Sequence, residues 1–221
     1  FSKLISMLRR DFIVLATLAI VGMAYAGTQP GKNGSAKGSV ILVVGDSLSA
    51  EYGLARGTGW VTLLEQRLAQ EKIPATVVNA SVSGDTTAGG RARLAALLKL
   101  HQPTHVVLEL GSNDALRGLP LANTQDNLDW MTEQAQAAGA RVLLVGMQMP
   151  PNYGADYGRR FASLFEAVAK ERKAALVPFL LKGVADAPNP TALFQPDRIH
   201  PRSEAQPRML DNVWPELRKL L

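Results

Sequence analysis

Ser47 stands in the run Gly45-Asp46-Ser47-Leu48-Ser49, directly after the apolar stretch Ser39-Val40-Ile41-Leu42-Val43-Val44. A serine hydroxyl is a poor nucleophile until a base takes its proton. The chain offers three histidines, His101, His105 and His200. His200 lies in Asp197-Arg198-Ile199-His200-Pro201. An Asp three residues before a His can turn back within one tight loop and accept the Nδ1 proton, which leaves Nε2 for the serine. His101 ends a helical pattern and His105 starts an apolar run, so both are read as structural or surface groups. Ser47, Asp197 and His200 together point to acyl transfer, and acyl transfer needs donors for a developing oxyanion. The peptide N–H of Ser47 is one. Gly84, in Ser81-Val82-Ser83-Gly84-Asp85-Thr86, is a second, because no side chain holds a ligand off its backbone. The amide of Asn113, in Gly111-Ser112-Asn113-Asp114, is a third. Each feature also has a bland reading: helix caps at Asp46 and Ser47, a turn at Gly84, an Asx-turn at Asn113, a surface turn at Asp197 to His200. Their joint presence in one chain favours the chemical one.

These residues must be brought together by the elements that precede them. Val40–Val44 is short, apolar and rich in β-branched residues, which predicts a buried strand. Further strands are predicted at residues 76–79, 105–110, 141–146 and 175–178. Helices are predicted at 60–70, 90–100, 124–138, 159–172 and 203–221, the last with Pro207 in its first turn and a bend at Pro215. Strand and helix alternate. That order implies right-handed crossovers and a parallel five-stranded sheet covered by helices on both faces, a three-layer α/β/α sandwich. In such sheets active sites form outside the C-terminal strand ends, where the Ser47, Gly84 and Asn113 loops emerge. Met147-Gln148-Met149-Pro150-Pro151-Asn152-Tyr153 follows the fourth strand and borders the same mouth. Met147, Met149, Pro151 and Tyr153, with Leu116 from the Asp114–Leu119 loop, are candidates to line an apolar groove for an acyl chain. The glycine-flanked 114–119 segment is read as a loop able to close over substrate.

The 221 residues are 47% apolar with a net charge of +5, which fits one globular domain with a substantial core. Lys3, Arg9 and Arg10 against Asp11 account for two of those five charges. No cluster of Lys and Arg with interleaved aromatics is present, so nucleic acid is not an expected partner. The absence of cysteine excludes disulfides, thiol chemistry and Cys-zinc sites. No metal or cofactor is expected, and a monomer is. Residues 1–26 read as a targeting segment: a positive start, the apolar run Phe12–Met23, then Ala24-Tyr25-Ala26 as a small-x-small cleavage signal before Gly27. The alternative is an uncleaved anchor over residues 12–26, the only expected tie to a membrane. Residues 27–38 are a flexible linker by composition, and 39–221 form the domain.

The four blocks Gly45-Asp46-Ser47-Leu48-Ser49, Gly84, Gly111-x-Asn113-Asp114 and Asp197-x-x-His200 stand in the order of the conserved blocks of the SGNH, or GDSL, hydrolases. The chain resembles that family from about residue 40 to its end. The flanks, among them Val78–Thr86, Leu97–Pro103, Leu116-Arg117-Gly118 and Pro151–Gly154, are similar to its branch of periplasmic thioesterase/lysophospholipase/arylesterases of Gram-negative bacteria. Ser112 departs from the pattern, since close relatives often carry Gly there. The resemblance implies a flavodoxin-like fold with strand order 2-1-3-4-5. It implies Ser47 as nucleophile, His200 as base and Asp197 as its orienter, with Ser47 N–H, Gly84 N–H and Asn113 as the oxyanion hole. The substrate would be a small acyl ester or thioester, cleaved without metal or cofactor. The alternative within the same fold is a carbohydrate or small-ester deacetylase, which a short, polar acyl pocket would favour.

Overall fold

The computed structural model describes residues 38–221. The targeting segment and nearly all of the linker lie outside the described residues. Five parallel strands form one sheet: β1 (Ser39–Gly45), β2 (Ala75–Asn79), β3 (His105–Glu109), β4 (Arg141–Val145) and β5 (Ala175–Val177), in the order β2-β1-β3-β4-β5. The order agrees with the expectation from the family. Every neighbouring pair is parallel. Strands buried on both faces read as continuous apolar runs, and Ile41, Leu42, Val43 and Val44 of β1 are fully buried.

Six helices cover the sheet: α1 (Trp60–Gln70), α2 (Thr87–His101), α3 (Ser112–Leu116), α4 (Leu121–Ala137), α5 (Ala155–Arg172) and α6 (Gln206–Leu220). α1 packs against α6, while α2, α4 and α5 pack side by side, which completes the three layers. Among the described residues no helix is long and apolar enough to cross a membrane.

Three helix starts differ from the sequence expectation. α2 begins at Thr87 and not at Gly90, because the Thr86 hydroxyl caps it by accepting from the Gly89 N–H. Gly89-Gly90 reads as a breaker, yet Gly90 is where the helix meets the sheet, and a Cβ there would collide with Leu110. α4 starts three residues earlier than its apolar periodicity suggests, directly after Pro120. α5 starts four residues early, following Gly154 at φ +90°. The 114–119 segment is also not all loop: its first part belongs to α3, and Gly118 at φ +67° turns the chain toward α4. In the last element a 3₁₀ turn over Ser203–Ala205 precedes α6, and Pro215 lies inside the helix.

Candidate active site

Every loop that carries a candidate residue leaves the C-terminal side of the sheet or returns to it. The turn after β1 is set by Asp46. Its Oδ1 accepts from the Leu48 N–H at 3.0 Å, and its backbone carbonyl accepts from the N–H groups of Ser49 and Ala50. This winds the chain tightly around Ser47 and leaves its side chain half-buried at the surface of a cavity.

His200 reaches that side chain from the far end of the sequence. Its Nε2 lies 2.8 Å from Ser47 Oγ, across 153 residues. Its Nδ1 lies 2.8 Å from Asp197 Oδ2. The other carboxylate oxygen, Oδ1, accepts from the N–H groups of Ile199 at 2.9 Å and His200 at 3.0 Å. The Asp-x-x-His segment is thus a closed ring of hydrogen bonds, with Arg198 in the left-handed region at φ +60°. Burial would raise the Asp197 pKa, but the two backbone donors and the His200 ring outweigh it and hold it down to about 2. The loop is pinned at its base, where Gln195 N–H donates to the His200 carbonyl at 2.8 Å and Phe194 bridges Pro201. Tyr52 packs its ring against the imidazole, with centroids 4.3 Å apart.

Asn113 stands on α3, whose position is fixed by its neighbour. The buried Asp114 carboxylate accepts from the Thr87 N–H at 2.8 Å and the Thr87 hydroxyl at 2.5 Å, at the N-terminus of α2, where the helix dipole favours an anion. Asn113 Nδ2 donates to Asp46 Oδ2 at 3.0 Å. An amide nitrogen carries two hydrogens, so one remains for a ligand. Gly84 adopts φ +78°, and its carbonyl accepts from Arg117 Nη2 at 2.7 Å. Arg117 directly follows α3, so one side chain ties the Gly84 loop to the segment that carries Asn113. Burial raises the Asp46 carboxyl to about 6, against the pull of the Leu48 N–H, His200 and the Asn113 amide.

The cavity beside Ser47 and His200 encloses about 600 Å³, within the usual range for small-molecule sites. Of the predicted lining residues, Leu116, Met147, Met149 and Pro151 face it, and Tyr153 does not. The 3₁₀ turn Pro151–Tyr153 carries the tyrosine outward, to 38% exposure. The sequence reading missed Phe179, Leu181, Pro190, Phe194 and Ile199, which complete the apolar wall. All five come from the connection between β5 and α6, where no periodicity marks a buried face. His105 is structural as expected: it is buried, with Nδ1 against Thr104 Oγ1 and Nε2 against the Leu220 carbonyl, each at 2.8 Å. Its burial lowers its pKa. Among the described residues no group of His, Asp and Glu is arranged to hold a metal ion.

Residues 43–206 match the model of the GDSL-like lipase/acylhydrolase family. The chain is 53% identical to the esterase TesA of Pseudomonas aeruginosa over 84% of its own length and 91% of that protein's. It is 40% identical to thioesterase 1/protease 1/lysophospholipase L1 of Escherichia coli, over 85% of its length and 87% of the relative's. A crystal structure of TesA superimposes with a TM-score of 0.80 at 54% identity, covering 83% of this chain and all of that one.

Proposed function

We propose a mechanism and a substrate class for this chain, which belongs to the GDSL-like lipase/acylhydrolase family and is a hydrolase of carboxylic esters and thioesters. Ser47 Oγ attacks the acyl carbonyl while His200 Nε2 takes its proton. Asp197 holds the ring through Nδ1–H and stabilises the imidazolium. The carbonyl oxygen becomes an oxyanion, held by the N–H groups of Ser47 and Gly84 and the free Nδ2 hydrogen of Asn113. When the intermediate collapses, His200 returns its proton to the leaving alkoxide or thiolate and the acyl group stays on Ser47. Water, deprotonated by the same imidazole, attacks the acyl-enzyme, and Ser47 leaves with the proton. The observation that carries this reading is the unbroken relay Asp197–His200–Ser47, with both contacts at 2.8 Å.

The acyl group is proposed to be a fatty chain, and lysophospholipids and acyl thioesters fall within that class. The support is the wall of Met147, Met149, Phe179, Leu181 and Phe194, which offers a longer chain much apolar surface. Burying one methylene contributes about 0.8 kcal/mol, a factor of about four in kcat/KM. Across nitrophenyl esters and acyl-coenzyme A thioesters of increasing length, kcat/KM is expected to climb by about that factor per methylene and then level off. A maximum at the acetyl ester would instead make the enzyme a deacetylase. Export to the periplasm or the medium is proposed on the strength of Lys3, Arg9, Arg10 and the Ala24-Tyr25-Ala26 signal. N-terminal sequencing of the native protein reads this directly, with Gly27 first if residues 1–26 are removed.

Asn113→Ala is expected to lower kcat by about 10²-fold to 10³-fold with KM nearly unchanged, since the donor acts on charge that exists only in the transition state. Steady-state kinetics check this. A raised KM with intact kcat would make Asn113 a substrate-binding residue.

A further inference from the structure

Glu109 is the most deeply buried acid in the described fold and takes no part in the chemistry above. It is the last residue of β3, in register with Gly45 of β1, and it is fully buried. Its Oε2 accepts from the Ser49 hydroxyl at 2.7 Å and from the Asp46 N–H at 3.3 Å. Ser49 Oγ in turn accepts from Trp60 Nε1 at 3.2 Å. One carboxyl oxygen therefore holds the residue before the nucleophile and the second residue after it. The fit is close. A Cβ at Gly45 would stand 2.8 Å from Glu109 Oε2 and 2.8 Å from Ser49 Oγ, so Gly45 is small because the turn wraps around this carboxyl. Glu109 Oε1, by contrast, has no partner.

A carboxyl group in a sheet core is expensive, and an apolar side chain of similar size would cost less. Folding therefore gives no reason for it. The turn does. Asp46, held by its N–H on Glu109, presents Oδ1 to Leu48 and Oδ2 to Asn113, and Ser47 lies between the two anchored residues. We infer that Glu109 is a positioning residue, which fixes the nucleophile turn through Ser49 and Asp46 and, by way of the Asp46 carboxylate, aims the Asn113 amide. The inference rests on the assignment of Ser47 as nucleophile.

The groups facing Glu109 are Asp46 and Ser49 from the turn and Trp60, through Ser49, from α1. Arg93 of α2 reaches the same turn by donating to the Gly45 carbonyl at 3.4 Å. Burial first, and the Asp46 charge second, push the Glu109 carboxyl well above the usual range. In both of its contacts Oε2 acts as an acceptor, a role that the oxygen of an amide also fills.

The test compares Glu109→Leu, which keeps the volume and removes the acceptor, with Glu109→Gln, which keeps the acceptor. Each is assayed for kcat, KM, melting temperature and the rate at which an alkyl phosphonate labels Ser47. Misplacing a reacting group by about 1 Å costs about 10²-fold. In the leucine variant kcat and the labelling rate are expected to fall by about that factor, with KM within about threefold of the parent. The glutamine variant is expected to recover most of both. Loss of melting temperature with unchanged kcat and labelling overturns the inference, and so does a glutamine variant as slow as the leucine one. If Glu109→Leu does not fold, Ser49→Ala cuts the same tie from the other side, and parental kcat in that variant overturns the inference equally. Labelling at a residue other than Ser47 in the parent enzyme would refute the nucleophile assignment itself.

Discussion

Ser47→Ala is expected to abolish ester hydrolysis, with kcat falling on the order of 10⁶-fold while the fold is retained. The size of the loss follows from the geometry. His200 Nε2 has Ser47 Oγ as its partner at 2.8 Å, and the chain contains no cysteine that could replace the hydroxyl. What survives is catalysis by the remaining donors and by substrate binding, far below the covalent route. The fold should not suffer. The turn is held by Asp46, Ser49 and Glu109, not by the Ser47 side chain, so the melting temperature should stay within a few degrees. Parallel measurements of kcat and thermal unfolding check both halves, and the variant should also resist labelling by phosphonates. A variant that keeps a tenth of the parental rate would dismiss Ser47 as the nucleophile.

How much of this was legible in the sequence depends on where each residue draws its partners. Ser47, Asp197 and His200 stand in short runs whose local turns do the positioning, so type and spacing carry the information. The ring formed by Asp197 with the N–H groups of Ile199 and His200 spans only three residues. The central strands are equally plain, because burial on both faces makes Ile41–Val44, Val106–Leu108 and Val142–Val145 continuous apolar runs. The groups that finish the site are set by distant partners. Tyr52 packs its tilted ring against His200 from far earlier in the chain, and Arg117 reaches back over 33 residues to the Gly84 carbonyl. Glu109 looks like an ordinary strand end until Ser49 and Gly45 are seen against it. Phe179, Leu181 and Phe194 lie in a connection with no repeating pattern, where burial is decided by the cavity and not by an element's own face. Tyr153 is the converse case: an aromatic beside a prolyl pair suggests a lining residue, and the turn carries it away from the cavity.

Asp197→Asn should retain the fold and lose about 10⁴-fold in kcat. The reason lies in the two backbone donors. Oδ1 of Asp197 accepts from the N–H groups of Ile199 and His200, and an asparagine must keep its carbonyl oxygen there, because a nitrogen in that place would face two donors. Its NH₂ is then forced toward His200 Nδ1 and donates to it. The imidazole must carry its proton on Nε2, facing Ser47, and can no longer accept one. The loss should therefore appear in kcat and in the phosphonate labelling rate, with little change in KM. A pH series adds a second check. In the parent, Asp197 is held down to about 2 from its ordinary 3.8. A carboxyl lowered in the folded state contributes stability that is present above the unfolded value and is lost as pH falls through the folded one. Asp197 thus remains an anion throughout the range in which histidines titrate, and it does not cause a fall in activity between pH 7 and 5. The asparagine variant has no such group, so its melting temperature should depend less on pH between 4 and 2 than that of the parent. An Asp197→Asn enzyme with near-parental kcat would mean that the tautomer of His200 is set by another group.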